Sequence, residues 1–434
     1  MGALTAVGVL FSAFFILLFA GVPISVSLGI ASFVTALAFL PWDDSTYVIG
    51  QQMNVGIESF ALLAVPLFIF AGNIMNTGGI AHRLVDLALV VVGRVPGALA
   101  HTNVLANMLF GALSGSAVAS AAAIGSTLHD RQKNAGYDPA FGAAVNIASA
   151  PTGLLIPPTT AAIVYSTVAG GVSVSALFMA GYVPGILMGV VIMVIAYVFT
   201  RRQKYPKADR VTLAEAFRVL LRAIPGLLLV VVVVGGIVLG VFTATEGAAV
   251  AVLYTLVLSL AYRSMSWTAF KDVVTRTVVA TGIVMFLIAA SAGMSWVMAY
   301  TGIPTAITEG LLSVADSRAV ILVLMLLVLL VVGTFMDITP AILIFTPILL
   351  PISGELGMDP VQFGMVLILA MCIGTMTPPV GSVLFVGTGV SEVSIERVVP
   401  KLMPYFAGLV LLLVAVTFIP ALSLWLPGMM GLLE

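Results

Sequence analysis

The chain has 434 residues, of which 61% are hydrophobic and only 8% charged, with a formal net charge of −1. Soluble domains carry about 25% charged residues, so this composition excludes a water-facing globular protein, and no charge run of the nucleic-acid-binding kind is present. Apolar runs of about 17–25 residues, enough to cross a bilayer, recur along the chain. They predict an all-α polytopic membrane protein.

Taken in chain order, the opening MGALTAVGVLFSAFFILLFAGVPISV contains no Lys or Arg. It reads as a retained first span, because a cleavable signal peptide begins with a basic region and has a short apolar core. The stretch LFGALSGSAV (109–118) is too interrupted by Gly and Ser for one clean span. Its short apolar flanks predict a re-entrant hairpin over about 104–128 with Ser114 and Ser116 at the tip. GLLIPPTTAAIVY (153–165) is apolar yet carries Pro157-Pro158. Proline in a helix interior removes a hydrogen bond and clashes with the preceding turn, so Gly153, Pro157 and Pro158 predict a broken helix over about 141–170.

Further on, VTLAEAFRVLLRA (211–223) sets Leu213, Phe217 and Leu220 opposite Glu215, Arg218 and Arg222. SWTAFKDVVTRTV (266–278) behaves likewise, with Trp267 as an interfacial aromatic. Both are expected to be amphipathic helices lying in the membrane plane. Glu246, in VFTATEGAAV, is expected to cap the next span from a short outside turn. VGTFMDITPAILIF (332–345) predicts a second hairpin over about 319–350, with Thr334, Asp337 and Thr339 at its tip. Gly374, Pro378 and Pro379 break a helix over about 361–391. The single cysteine, Cys372, excludes an internal disulfide and reads as a packing residue. His82, His101 and His129 are scattered without ligand spacing.

These elements occur twice in the same order, which divides the chain into repeats, 1–205 and 206–434. Charge gives their relative sense, since Lys and Arg collect in cytoplasmic loops. HDRQK (129–133) follows the first hairpin, whereas the acidic SGELGMDP follows the second. The repeats are therefore expected to be inverted, with both termini outside and every Lys and Arg except Arg318 on the cytoplasmic side. Asp43, Asp44, Glu58, Glu246, Glu309, Asp316, Glu355, Asp359 and Glu434 then fall outside.

In hydrocarbon, irregular backbone survives only within protein or beside a wet cavity. Transporters with inverted repeats place such breaks at mid-membrane, with unwound carbonyls on Na⁺ and half-helix amino ends facing anionic substrate groups. Each hairpin tip and its break would make an oxygen cage suited to Na⁺, because Ca²⁺ and Mg²⁺ prefer more carboxylate. Asp337 is the one acid placed at membrane depth, where a charge by default indicates function. It could touch a cation, carry a proton or cap a half-helix; capping is favoured, because Gly115 stands at the matching position of the first hairpin.

The segments LSGSAVASAAAIGS, GYDPAFGAAV, GVFTATEGAAVAVLYTL, GTFMDITPAILIFTPILLPI and MTPPVGSVLFVGTGVS resemble the large membrane subunit of tripartite ATP-independent periplasmic (TRAP) transporters, across essentially the whole chain. TATE stands where many relatives have Thr-Pro-Thr-Glu, and IPPTTAAIVY where Pro-Pro-Ser is common. The resemblance implies a multi-pass protein of the bacterial inner membrane and a Na⁺-driven importer with an elevator motion. By the same resemblance it is expected to work with a separate small (Q-type) membrane subunit and a soluble periplasmic binding protein. Its expected cargo is an organic acid such as a C4-dicarboxylate, sialic acid or another sugar acid, and no cofactor beyond the coupling ion is expected. The resemblance places one sodium site on Gly111, Ser114, Gly153, Ile156 and Pro158, and a second on Gly333, Met336, Gly374, Thr377 and Val380. Substrate is expected near Ser114, Ser116, Asp337 and Thr339. It would be met by tip dipoles rather than an arginine clamp, because no Lys or Arg is expected at membrane depth. A self-sufficient Na⁺- or H⁺-coupled dicarboxylate carrier is the alternative. An intramembrane enzyme is disfavoured, for want of metal-ligand spacing or a nucleophile beside a base.

Overall fold

The computed structural model describes residues 2–77, 80–201, 205, 211–314, 317–378 and 380–433, and among them there is no strand. Among the described residues, six helices are long and apolar enough to cross a bilayer: Val174–Thr200, Leu213–Val238, Ala244–Ala261, Trp267–Thr301, Ile338–Glu355 and Ile395–Phe418. Trp42–Ile57 and Phe60–Asn76, bent by 61° at a short break, together make a further broken span. Large apolar side chains such as Phe19, Val231, Leu253, Ile283 and Leu411 lie exposed on the outer surface. A surface this apolar is stable in hydrocarbon and not in water, and the chain is an all-α polytopic membrane protein.

The inner body is built from interrupted helices. Ala98–Ser114 turns at Gly115, whose φ of 62° suits a residue without Cβ, into Ala117–Asn134. Pro139–Ser149 passes through a 3₁₀ turn, Ala150–Leu154, is interrupted over 155–159, and resumes as Thr160–Val168. The same sequence of elements returns as Arg318–Gly333, Ile338–Glu355, Pro360–Gly374 and Ser382–Ser391. Both broken helices begin at Asp-Pro. Asp138 accepts the N–H of Ala140 at 3.1 Å and Asp359 that of Val361 at 2.7 Å, while proline preorganises the first turn.

The first arm of each hairpin packs on the break that follows it. The second arms cross over: Ala117–Asn134 packs on Ser382–Ser391, and Ile338–Glu355 on Thr160–Val168. Tyr165 donates its hydroxyl to the Pro360 carbonyl at 2.6 Å, and the buried Cys372 thiol lies 3.5 Å from the Pro151 carbonyl, so the broken helices are tied to each other.

A buried polar cluster fixes the first hairpin. Asn107 Nδ2 donates to Asn103 Oδ1 at 2.8 Å, Asn146 Oδ1 at 3.0 Å and Ser149 Oγ at 2.8 Å; its Oδ1 accepts from Ser120 at 2.7 Å. One amide thereby joins both hairpin arms to the broken helix.

The outer elements correct one expectation. Residues 211–223 and 266–278 do not form separate in-plane helices; they are the opening turns of Leu213–Val238 and Trp267–Thr301. The latter has 35 residues, about 52 Å at 1.5 Å per residue, against about 30 Å of hydrocarbon. Nothing in Val278-Val279-Ala280 interrupts a helix, so the amphipathic turns run straight into the span. Pro225 is absorbed inside the other helix, where Tyr254 donates to its carbonyl at 2.7 Å. Thr212 with Glu215, and Thr243 with Glu246, form reciprocal capping boxes, so Glu246 caps its span as the sequence suggests.

Asn107→Leu should strip the donor from the Asn103 and Asn146 oxygens and the acceptor from Ser120. Each buried polar group left alone costs about 1–3 kcal/mol, so thermal unfolding in detergent, followed by circular dichroism, is expected several degrees lower. An unchanged midpoint would show the cluster to be dispensable.

Candidate functional site

At two places a hairpin arm and a broken helix meet backbone on backbone. A Cβ on Gly153 would stand 2.1 Å from Gly111 Cα, and one on Gly374 would stand 2.4 Å from Gly333 Cα. No side chain larger than hydrogen fits at Gly111, Gly153 or Gly374, and it is main-chain atoms that meet at each crossing. The four glycines are those assigned to the two expected sodium sites.

Of the other residues assigned to those sites, Ile156 and Met336 are buried and Val380 is 45% exposed. Ser114 Oγ lies 3.4 Å from both the N–H and the carbonyl of Ser116. The Pro157-Pro158 bond is cis. Thr377 spends its hydroxyl on the Ile373 carbonyl at 2.6 Å, while its own carbonyl accepts from Gly381 at 3.1 Å. Pro378 lies in the turn between the two halves of its helix; Pro379, Asp316 and Glu434 lie outside the described residues. Among the described residues no three His, Cys, Asp or Glu side chains cluster as metal ligands. Of the residues assigned to the two sites only Ser114 and Thr377 carry a side-chain oxygen, so the others could offer an ion only main-chain groups.

Between the crossings lies a cavity of about 390 Å³. Its wall brings together Ser114, Ser116, Asp337 and Thr339, the residues expected to contact substrate, with Pro158, Thr160, Thr375 and Ser382 from the breaks. Four helices present their amino-terminal residues to it: Ala117–Asn134, Ile338–Glu355, Thr160–Val168 and Ser382–Ser391. The first turn of a helix carries unpaired N–H groups and the positive end of the dipole, so the cavity is electropositive without needing many formal charges. Ser116 caps its helix by accepting the Ala119 N–H at 3.2 Å. Asp337 does so through Ile338, at 2.9 Å, as its position in the sequence favours. Ser382 Oγ is buried with no hydrogen-bond partner among the described residues.

A basic side chain, 75% exposed, also stands in the cavity wall, where the sequence led to none being expected. Arg276 lines it together with both tips. Reading residues 266–278 as a surface helix kept Arg276 away. In the unbroken Trp267–Thr301 helix it falls further along, beside Thr277, whose hydroxyl accepts from Asn73 at 3.0 Å. Asn73, Asn76, Thr160, Arg276, Thr375 and Ser382 are polar cavity residues that sequence reasoning did not single out, and Arg276 is the charged one. The continuous helical spacing of residues 267–301 was the signal for Arg276.

The family described as tripartite ATP-independent periplasmic transporter, DctM component, matches residues 11–422. The chain is 50% identical to the uncharacterized protein YgiK of Salmonella typhimurium, over 96% of each chain. It is 40% identical to the C4-dicarboxylate TRAP transporter large permease protein DctM of Pseudomonas aeruginosa, over 94% of this chain and 95% of that one. Identity to the sialic acid TRAP transporter large permease protein SiaM of Vibrio cholerae is 35%, over 95% and 96%. Among solved structures, the Alcanivorax borkumensis YdaH transporter superposes with a TM-score of 0.58 at 16% identity, covering 88% of this chain and 90% of that one. At that identity the likeness is one of fold.

Gly153→Ala and Gly374→Ala are each expected to destabilise the detergent-solubilised protein by about 1–3 kcal/mol, the usual cost of overpacking. Gly235→Ala is the control, since its Cβ meets nothing within 4 Å and alanine favours the helix. Equal melting temperatures for all three would mean that the crossings are looser than described.

Proposed function

Because the chain belongs to the TRAP transporter DctM family, we propose that it is the large permease subunit of a Na⁺-coupled, binding-protein-dependent importer of an organic acid. The observation that carries this reading is the convergence of four helix amino-termini on one cavity flanked by two glycine crossings. At about 390 Å³ the cavity falls in the range of small-molecule sites, roughly 300–1,000 Å³. Relatives are named for a C4-dicarboxylate and for sialic acid, so the class of cargo is an organic acid and its identity is open within that class.

On this reading residues 1–205 and 206–434 are inverted repeats in a bacterial inner membrane, with both termini periplasmic. Gly111, Ser114, Gly153, Ile156 and Pro158 would hold one Na⁺, and Gly333, Met336, Gly374, Thr377 and Val380 a second. Most of these residues would serve through main-chain oxygens; Ile156, Met336 and Val380 have no side-chain oxygen to offer. Cargo would sit at Ser114, Ser116, Asp337 and Thr339. Hairpins and broken helices form the moving body, and the outer spans form the frame. A small membrane subunit and a periplasmic binding protein complete the transporter. Transport, not catalysis, is the activity.

The test is uptake of labelled organic acids, including C4-dicarboxylates, sialic acid and sugar acids, into proteoliposomes. These hold the chain with its small subunit, with the binding protein supplied outside. Uptake of one acid is expected to require both the binding protein and an inward Na⁺ gradient, and to stop when K⁺ replaces Na⁺. Uptake without the binding protein, or driven by a proton gradient, would overturn the reading in favour of a self-sufficient carrier.

A further inference from the structure

We propose that Arg276 is the specificity-determining positive charge of the cavity, pairing with an anionic group of the cargo. This rests on the reading of that cavity as the cargo site.

Arg276 and Asp337 are the only charged side chains in the described cavity wall. Asp337 is committed to the amino end of Ile338–Glu355, where it accepts the Ile338 N–H. Arg276 has no comparable commitment. Its recorded ion pair is with Asp272, one turn earlier on the same helix, through a single contact of 3.6 Å with both side chains more than two-thirds exposed, 75% and 71%. An exposed pair at this spacing contributes little, so Asp272 does not account for the guanidinium's position. A carboxylate entering the cavity can displace it.

The chemistry of the remaining wall says what such a charge adds. Four helix amino-termini give a diffuse positive field, which any electron-rich group can satisfy, including a hydroxyl or an amide. A guanidinium offers planar paired donors that match a carboxylate in two hydrogen bonds. It therefore separates an acid from a neutral molecule of the same shape.

Arg276 also differs from its neighbours in what carries it. The tips and breaks that supply Ser114, Ser116, Thr160, Thr339, Thr375 and Ser382 belong to the hairpins and broken helices. Arg276 belongs to Trp267–Thr301, which packs on Ile24–Leu37, Trp42–Ile57 and Ala64–Thr77. The hydrogen bond from Asn73 to the adjacent Thr277 holds that helix against Ala64–Thr77. The cargo's anionic group would thus be held from the outer elements while its remainder is held from the inner ones.

The test uses the complete transporter in proteoliposomes, with labelled succinate, malate and N-acetylneuraminate as probes and KM separated from maximal rate. Arg276→Gln is expected to raise KM about tenfold or more, the usual worth of a charged hydrogen bond. Maximal rate and the Na⁺ requirement should stay near wild type, and Arg276→Lys should recover part of the loss. An unchanged KM, or a fall in maximal rate alone, would overturn the assignment while leaving the proposed function standing. Should Arg276→Gln fail to insert, Asp272→Asn carries the test: KM at or below the wild-type value supports the assignment, and a raised KM overturns it. A wild-type transporter that moves none of the probes, with or without Na⁺, would remove the premise and this inference with it.

Discussion

The constraint on which everything else rests is that hydrocarbon satisfies no backbone hydrogen bond. An unpaired N–H or carbonyl there costs several kcal/mol, so a helix interrupted at 155–159, or between Gly374 and Ser382, must be covered by protein or face a wet cavity. The chain wraps each break with a hairpin arm and brings the two backbones together through glycines, Gly111 on Gly153 and Gly333 on Gly374. The breaks and the hairpins are therefore one device. Neither is stable without the other, and the crossover of the second arms locks the two devices into a single body.

That body concentrates its unsatisfied donors in one place. Four helices end their first turns at the cavity, and capping by Ser116, Thr159 and Asp337 satisfies only some of the N–H groups exposed there. An electropositive cavity follows from the folding problem, before any residue is selected for binding. The outer elements face the opposite demand. Their exposed side chains are apolar, and their long helices pass through the bilayer with amphipathic turns at one end.

Much of this was legible in the sequence because glycine and proline act locally. Gly153 with Pro157-Pro158, and Gly374 with Pro378, announce breaks wherever they stand in an apolar run, and the helices do stop there. Ser114, Ser116, Asp337 and Thr339 were legible as tips because polar residues between short apolar flanks have few other uses at that depth. What the sequence hid was a matter of continuity and of long-range partners. Residues 266–278 are amphipathic, which describes a surface helix and the entry of a long span equally well; only the absence of a breaker before Thr301 separates them, and the place of Arg276 in the cavity wall was hidden on that account. The cluster around Asn107 depends on Asn146 and Ser149 from another helix. Asn103 and Asn107 are spaced to share a helix face, but which groups meet them is fixed by tertiary packing.

These two kinds of feature divide the labour of the site. The glycine crossings are made of main chain, so their geometry is insensitive to most side-chain changes nearby and tolerates only the smallest residue at Gly111, Gly153 and Gly374. The cavity wall is made of side chains, and its residues can change without moving the crossings. A scaffold arranged this way can keep its crossings fixed while its cavity wall varies. That fits a family whose relatives are named for a C4-dicarboxylate and for sialic acid at 40% and 35% identity to the same chain. On the proposed reading the coupling ion is read by the backbone and the cargo by the wall. The determinants of cargo choice should therefore be few, polar and carried on elements that play no part in closing the crossings, a description that Arg276 meets and Ser114 does not.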